Sequence, residues 1–381
     1  MKKVVILGAT GSIGEQALEV VSRSDELAVA GLAAASNWQR LVEQAGDHGV
    51  PAVALAEPDA ALQAEGAWKG RVLVGEAGVR ELIVTAEADL VLNGMVGSAG
   101  LGPTIVALSE GVDVALANKE SLVVGGELVT ALAEATDARI IPVDSEHSAL
   151  FQLVNAEPPG HVERLVLTAS GGPLRGRSNL SDVTPEEALA HPTWQMGGRI
   201  TIDSATLINK GFELIEAHHL FGLGYERMEV AVHPQSIVHA LVHLNDGASF
   251  AHLGLPDMRV PISYALHYPE RPDVDVPTLD LAAVGELTFE KPDLETFPCL
   301  RLAREAGEAG GTAPCILNAA DEVAVEAFLE GRVPFTMIAE VVERTLEALP
   351  ATTPGHFEDL YGADAAARDH AQALIDGAGV L

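Results

Sequence analysis

Through the first 140 or so residues, short apolar runs alternate with stretches of helical period. Runs at 4–7, 27–32, 52–55, 90–92, 112–116 and 140–143 are too short for buried helices and read as strands. Helical patterns such as 14–22 and 103–109 lie between them. Strand, helix and strand in repetition predict a doubly wound, Rossmann-like parallel sheet. From about 145 the texture changes, and 164–168, 199–202, 228–232, 237–242 and 248–253 read as strands with fewer helices between them. That predicts a second, mixed α/β domain. Prolines at 269, 272, 277, 292 and 298 interrupt any period and suggest a linker. Helical patterns at 300–306, 315–328, 335–349 and 365–375 predict a C-terminal helical bundle. The expected boundaries are 1–144, 145–267, a linker at 268–298, and 299–381.

Composition narrows the function classes. Hydrophobic residues make up 48% of 381 residues, enough for a large core. Twenty-three Lys and Arg face 55 Asp and Glu, a formal charge of −32. Such a surface repels nucleic acid and anionic lipid, so neither is expected as a partner. An anionic substrate would need local cations. Cys299 and Cys315 are too few for a disulfide framework and read as packing residues in a reducing compartment. The N-terminus lacks the pattern of a secretory signal, and no apolar run reaches membrane-spanning length. A cytoplasmic location is the expectation.

The first strand runs into G-A-T-G-S-I-G, with Gly8, Gly11 and Gly14, and then a helix. That order suits a pyrophosphate held on a helix N-terminus, with Thr10 and Ser12 adding hydroxyls. After the second strand comes Ala35-Ser36-Asn37, with Arg40 one turn on and no acid. The missing acid favours a 2′-phosphorylated nucleotide, although Ser36 and Asn37 also suit a plain helix cap. Asn118-Lys119-Glu120-Ser121 follows the fifth of these runs. Asp144-Ser145-Glu146-His147 follows the next, and in an extended chain its two acids share a face, as a divalent metal would need. Ser170-Gly171-Gly172-Pro173 could wrap an anion, and 191–198 (H-P-T-W-Q-M-G-G) has the make-up of a lid.

The densest chemistry lies in 202–216, I-D-S-A-T-L-I-N-K-G-F-E-L-I-E. Asn209, Lys210 and Glu213 fall on one side of a helix, with Ser204 where an N-cap would sit. By itself the segment reads as a solvated amphipathic face with a tolerated glycine at 211.

These motifs in this order resemble the 1-deoxy-D-xylulose 5-phosphate reductoisomerase family. H-P-Q-S at 233–236, L-P-D-M-R at 255–259 and N-A-A-D-E-V-A at 318–324 extend the likeness over nearly the whole chain. The resemblance implies metal-dependent rearrangement and NADPH reduction of 1-deoxy-D-xylulose 5-phosphate to 2-C-methyl-D-erythritol 4-phosphate, in isoprenoid precursor synthesis. It implies Mg²⁺ or Mn²⁺ on Asp144, Glu146 and Glu213, with Lys119 and His191 also in the catalytic set. It implies substrate contacts from Lys119, Ser145, Glu146, Ser170, His191, Ser204, Asn209, Lys210 and Glu213. It implies NADPH contacts from Thr10, Gly11, Ser12, Ile13, Ala35, Ser36, Asn37, Asn118, Glu120 and Gly197, a flap carrying Trp194 and Met196, and a homodimer. Ala35 stands where members often carry Gly, and Asp321 where Asn is usual, outside the site motifs. Two other readings are a dehydrogenase of another phosphorylated sugar and a nucleotide-sensing protein without chemistry.

Overall fold

A computed structural model describes residues 1–194 and 196–378; Gln195, within the lid motif, and the last residues of the C-terminal region, 379–381, lie outside the described residues. The chain forms two compact units, and neither is continuous in sequence. The first comprises Met1–Ser121, Val129–Ser148 and Asp257–Val276. The second comprises Leu122–Leu128, Ala149–Pro256 and Pro277–Leu381. These divisions differ from boundaries drawn at 144, 267 and 298.

The first unit is built on seven parallel strands. They are β1 (Lys2–Leu7), β2 (Leu27–Ala34), β3 (Ala52–Leu55), β4 (Arg71–Val74), β5 (Leu90–Asn93), β6 (Asp113–Leu116) and β7 (Ile140–Pro142). Their order is β4-β3-β2-β1-β5-β6-β7, so the winding reverses between β1 and β5. The expected strands are all present. β4 is an addition, because R-V-L-V is short and exposed at both ends, which leaves little apolar signal. Val4, Ile6, Leu32, Val53, Leu90 and Leu92 are fully buried in one cluster, as strands covered on both faces require.

Helix Arg259–His267 completes this unit. Ile262, Ala265 and Leu266 join the same cluster, Lys2 donates to the Leu266 carbonyl at 3.1 Å, and Arg259 pairs with Glu19 at 3.0 Å. The chain thus returns to its first sheet after more than a hundred residues spent largely in the second unit.

The second unit has a mixed sheet of β8 (Val162–Ala169), β9 (Met228–Val232), β10 (Val238–Leu244) and β11 (Ser249–Leu253), ordered β11-β10-β8-β9. Residues 199–202, expected as a strand, instead lie in helix Gly198–Thr206. The run alternates R-I-T-I like a strand. Ile202 nevertheless buries on the helical face with Ala205, so tertiary packing decides. The C-terminal helices are Cys299–Ala309, Ala313–Leu329, Thr336–Ala348 and Phe357–Ala378. Leu300, Ala303, Leu317 and Phe328 share one core with Phe212, Leu214 and Ala240, so the bundle is not a separate body from the mixed sheet. Leu281–Val284, inside the proline-rich segment, forms a short helix capped by Asp280. Both cysteines are buried free thiols; burial pushes the Cys299 thiol up, and the Cys315 thiol up to about 12. Among the described residues no helix is long and apolar enough to cross a membrane.

Candidate active site

In the first unit the expected residues gather at the carboxyl ends of β1, β2, β6 and β7. Doubly wound sheets bind ligands along that edge, beside the reversal of winding. Gly8 leaves β1 at φ 77°, where a Cβ would lie 2.5 Å from the Gly94 carbonyl at the end of β5. A Cβ on Gly14 would meet the Gly8 and Ala9 carbonyls at 2.4 and 2.5 Å. Glycine is therefore required at both positions. Gly11 is the N-cap of helix Ser12–Ser22 and offers no side-chain bond to its first amides. Those N–H groups and the positive end of the helix are available to an anion. Gly11 and Ser12 are exposed, and Thr10 and Ile13 are half-buried beside them.

Ala35, Ser36 and Asn37 are exposed after β2. Asn37 caps helix Trp38–Asp47 by accepting from the Arg40 amide at 3.3 Å. Arg40 itself is held by Glu15 at 2.7 Å and Glu43 at 2.6 Å. Its hydrogen bond and charge hold the Glu15 carboxyl below the usual range. Its positive charge is thus already shared.

Asn118 and Glu120 are buried and brace the loop after β5. The Asn118 amide donates to the carbonyls of Met95 and Gly97 at 3.0 and 2.9 Å, and Glu120 accepts from the Gly97 amide at 3.0 Å. Lys119 is also buried and donates to Asp144 at 2.8 Å. Asp144 and Glu146 do not occupy an extended chain. β7 ends at Pro142, and helix Ser145–Asn155 begins at once. Asp144 accepts from the Glu146 amide at 3.2 Å, as an N-cap does, so local hydrogen bonding outcompetes continuation of the strand. Ser145 bonds the Glu146 carboxylate. His147, fully buried, places Nδ1 3.0 Å from Asp144. It was not among the candidate residues, although the D-S-E-H run contains it.

In the second unit Ser170 and His191 meet at 2.9 Å through Oγ and Nε2. His191 Nδ1 accepts from the amides of Thr193 and Trp194 at 3.1 and 2.9 Å. That leaves the proton on Nε2, which donates to Ser170. Burial lowers the His191 pKa and so favours the neutral ring. The same contacts fix the first residues of the 191–198 loop, where Trp194 and Met196 are half-buried and Gly197 starts helix Gly198–Thr206.

Ser204 sits inside that helix rather than at an N-cap. The break falls at Leu207, a left-handed residue at φ 64°, and a second helix runs Ile208–Phe221. A non-glycine there is strained by roughly 1–3 kcal/mol, and Leu207 is held by burial. Gly172, at φ 70°, lies so close that a Cβ would approach the Ser204 carbonyl to 2.5 Å. The S-G-G-P turn and the D-S-A-T helix therefore touch.

The polar side of 209–213 is not a wet face. Lys210 is 4% exposed and Glu213 1%, and they form an ion pair. Asn209 donates to the other Glu213 oxygen at 2.6 Å. Truncating one partner of such a buried pair costs about 3–5 kcal/mol, because the other charge is left uncompensated. Gly211 has a packing role: a Cβ would lie 2.2 Å from that of Ala303 on helix Cys299–Ala309. The close approach suggested by a glycine there is that of a neighbouring helix.

Three family models cover most of the chain. "1-deoxy-D-xylulose 5-phosphate reductoisomerase" matches 4–126, its C-terminal domain matches 140–221, and "DXP reductoisomerase C-terminal domain" matches 253–370. The 1-deoxy-D-xylulose 5-phosphate reductoisomerase of Moorella thermoacetica is 50% identical over 99% of both chains. The chain belongs to the reductoisomerase family. The Symbiobacterium thermophilum reductoisomerase is 49% identical over 98% of both chains. Among solved structures, a reductoisomerase in complex with NADPH, fosmidomycin and magnesium aligns with TM-score 0.93 at 37% identity, covering 99% of this chain and 98% of that one. The Zymomonas mobilis reductoisomerase in complex with NADPH aligns with TM-score 0.90 at 39% identity, over 98% of this chain and 99% of that one.

Proposed function

We propose that this reductoisomerase-family enzyme converts 1-deoxy-D-xylulose 5-phosphate and NADPH to 2-C-methyl-D-erythritol 4-phosphate and NADP⁺, with a divalent cation. The observation that carries the reading is membership of the family over the whole chain, with relatives near 50% identity. When bound, the cation polarises the substrate carbonyl as a Lewis acid and NADPH supplies hydride.

Asp144, Glu146 and Glu213 are the proposed cation ligands. Hard carboxylate oxygens suit Mg²⁺ or Mn²⁺. Lys119 against Asp144 and Lys210 against Glu213 orient those carboxylates. Ser170, Ser204, Asn209 and Lys210 hold the substrate phosphate, joined by neutral His191 donating from Nε2. Lys119, Ser145, Glu146 and Glu213 orient its reacting end. Remote phosphate binding then supplies energy to position the carbon skeleton. Thr10, Gly11, Ser12 and Ile13 take the pyrophosphate. Ala35, Ser36 and Asn37 take the ribose 2′-phosphate, and Asn118, Glu120 and Gly197 line the nicotinamide end. Trp194 and Met196 close over the reactants and exclude water.

The enzyme works in the cytoplasm, which its two free buried thiols suit. It works as a homodimer. β11 lies at the edge of the mixed sheet with Phe250 45% and Leu253 37% exposed, an edge that a second copy would cover. Light scattering should return twice the chain mass. Substituting Phe250 and Leu253 with Lys should return the single mass.

One assay tests the activity. NADPH absorbance is followed with the deoxyxylulose phosphate, with and without Mg²⁺ or Mn²⁺. Oxidation that needs both substrate and metal is expected. Oxidation only with another sugar phosphate favours a different dehydrogenase, and binding without oxidation favours a nucleotide sensor.

A further inference from the structure

A carboxyl cluster lies behind the helix that carries Ser204, on the side of the C-terminal bundle. Asp321, on helix Ala313–Leu329, is fully buried, and neither of its oxygens accepts a bond from a donor among the described residues. It therefore has a place, and not yet a role. Its neighbour across the packed helices is Asp203 of the D-S-A-T motif, also buried, whose charge adds to burial in raising the Asp321 carboxyl. Asp321 thus lies against the helix of a motif from which it is far removed in the sequence.

One guanidinium faces both acids. Arg199 lies 3.8 Å from Asp203 and 3.7 Å from Asp321, and pairs with Glu322 at 2.8 Å. Arg199 also donates to Asn318 at 3.2 Å. From helix Phe357–Ala378, Arg368 binds the other Glu322 oxygen at 2.5 Å and Asp364 at 2.7 Å. Two guanidiniums thus face four carboxyl groups. Helix Cys299–Ala309 contributes the Cys299 thiol, raised by burial and then by the fields of Asp321, Asp203 and Glu343, the last on helix Thr336–Ala348. The further carboxyl groups these contacts bring in, Glu322, Asp364 and Glu343, are all acidic. Two carboxylates buried side by side cannot both ionise cheaply. A hydrogen bond between two carboxyl oxygens also needs a proton on one of them.

We propose that Asp203 and Asp321 share one proton, and that this carboxyl–carboxylate bond braces the Ser204 helix against helix Ala313–Leu329. Loss of the proton leaves two buried negative charges in contact and pushes the helices apart. Ser204 and the base of the 191–198 loop shift with the helix. Asp203 and Asp321 are positioning residues: they act through Ser204 and touch no reactant. The positioning role rests on the phosphate-binding reading of Ser204, while the shared proton does not.

The sign follows from linkage. Burial and Asp203 raise the Asp321 pKa in the folded state. Above its ordinary carboxyl range, the folded chain therefore holds a proton that the unfolded chain has lost. Stability falls as pH rises from about 4 towards the folded-state pKa. Asp321→Asn keeps the shape, donates a permanent hydrogen bond to Asp203 and has no proton to lose.

The first experiment compares melting of ligand-free wild type and D321N between pH 5 and 9. D321N should gain on wild type as pH rises, by about 2 °C or more over the range. A constant difference overturns the shared proton. Infrared spectra of wild type at pH 7 read the same proton directly. A buried carboxylic-acid carbonyl band that D321N removes supports the proposal, and its absence overturns it. The second experiment measures KM for the deoxyxylulose phosphate against pH. In wild type, KM should rise up to about tenfold per pH unit above the pair's ionisation, while D321N stays flat over the same range. Parallel KM profiles alongside diverging melts overturn the positioning role and keep the proton. No turnover by either protein overturns the assigned function, and the positioning role with it, while the melts still decide the proton.

Discussion

The turn after β1 and the helix break at Leu207, both proposed to meet an anion, are built by opposite means. At the first, glycines remove side chains so that the backbone turns without strain and the helix amides stand exposed. At the second, a leucine is held in a left-handed conformation, and the charged groups beside it are buried and paired. A local device needs only the right residues in order. A device made of buried charge needs a surrounding core, and so shares its stability with distant helices. Damage at the first should fall on nucleotide affinity, and damage at the second on turnover and folding together.

Five substitutions test that contrast, the largest effect first. Glu213→Gln should lower kcat by about a hundredfold or more while NADPH affinity, read by fluorescence titration, stays within a few fold. Equal loss of nucleotide binding would break the contrast. Lys210→Ala should raise KM, lower kcat and cost about 3–5 kcal/mol in denaturant unfolding, because the buried Glu213 loses its ion pair with Lys210. Gly211→Ala should cost about 1–3 kcal/mol through overlap with Ala303, and Ala303→Gly should restore part of it. Both changes should spare nucleotide binding. Asn37→Ala, in the first unit, should cost about 1 kcal/mol as a lost cap and narrow the preference for NADPH over NADH by a few fold.

The pH response differs between the regions too. His219, in the second unit, is lowered to about 4 by burial and by His218. A base whose folded pKa is depressed contributes stability fully present above its unfolded value near 6.5 and lost as pH falls through the folded value. Stability should therefore drop between about pH 6.5 and 4, and His219→Gln should flatten that drop in melts. The ring also stands where a Cβ on Gly126 would be, 2.2 Å from Nε2, which explains the glycine at the kink in helix Glu120–Thr136.

Legibility followed the range of the forces. Strands 52–55 and 228–232 match β3 and β9, because apolar runs bounded by turns carry that information locally. The β1 turn was readable for the same reason. The run at 199–202 alternates like a strand yet is helical, and Asp144 caps a helix where an extended chain was expected. Arg40 looked available to a phosphate until Glu15 and Glu43 were seen to hold it. Asp321, outside the site motifs in sequence, faces the same guanidinium as Asp203 of the D-S-A-T motif.

From the sequence alone came the family, the doubly wound sheet, the nucleotide turn and the identities of the chemical groups, since these depend on residue order and short-range sterics. Only the tertiary structure decided that Lys210 and Glu213 are dry, that Gly211 makes room for Ala303, and that the last helices share a core with the mixed sheet. The physical reason is that amphipathic spacing shows which residues share a face. Whether that face meets water or protein is set by segments far away in the chain, and burial turns an ordinary surface ion pair into one that the fold depends on.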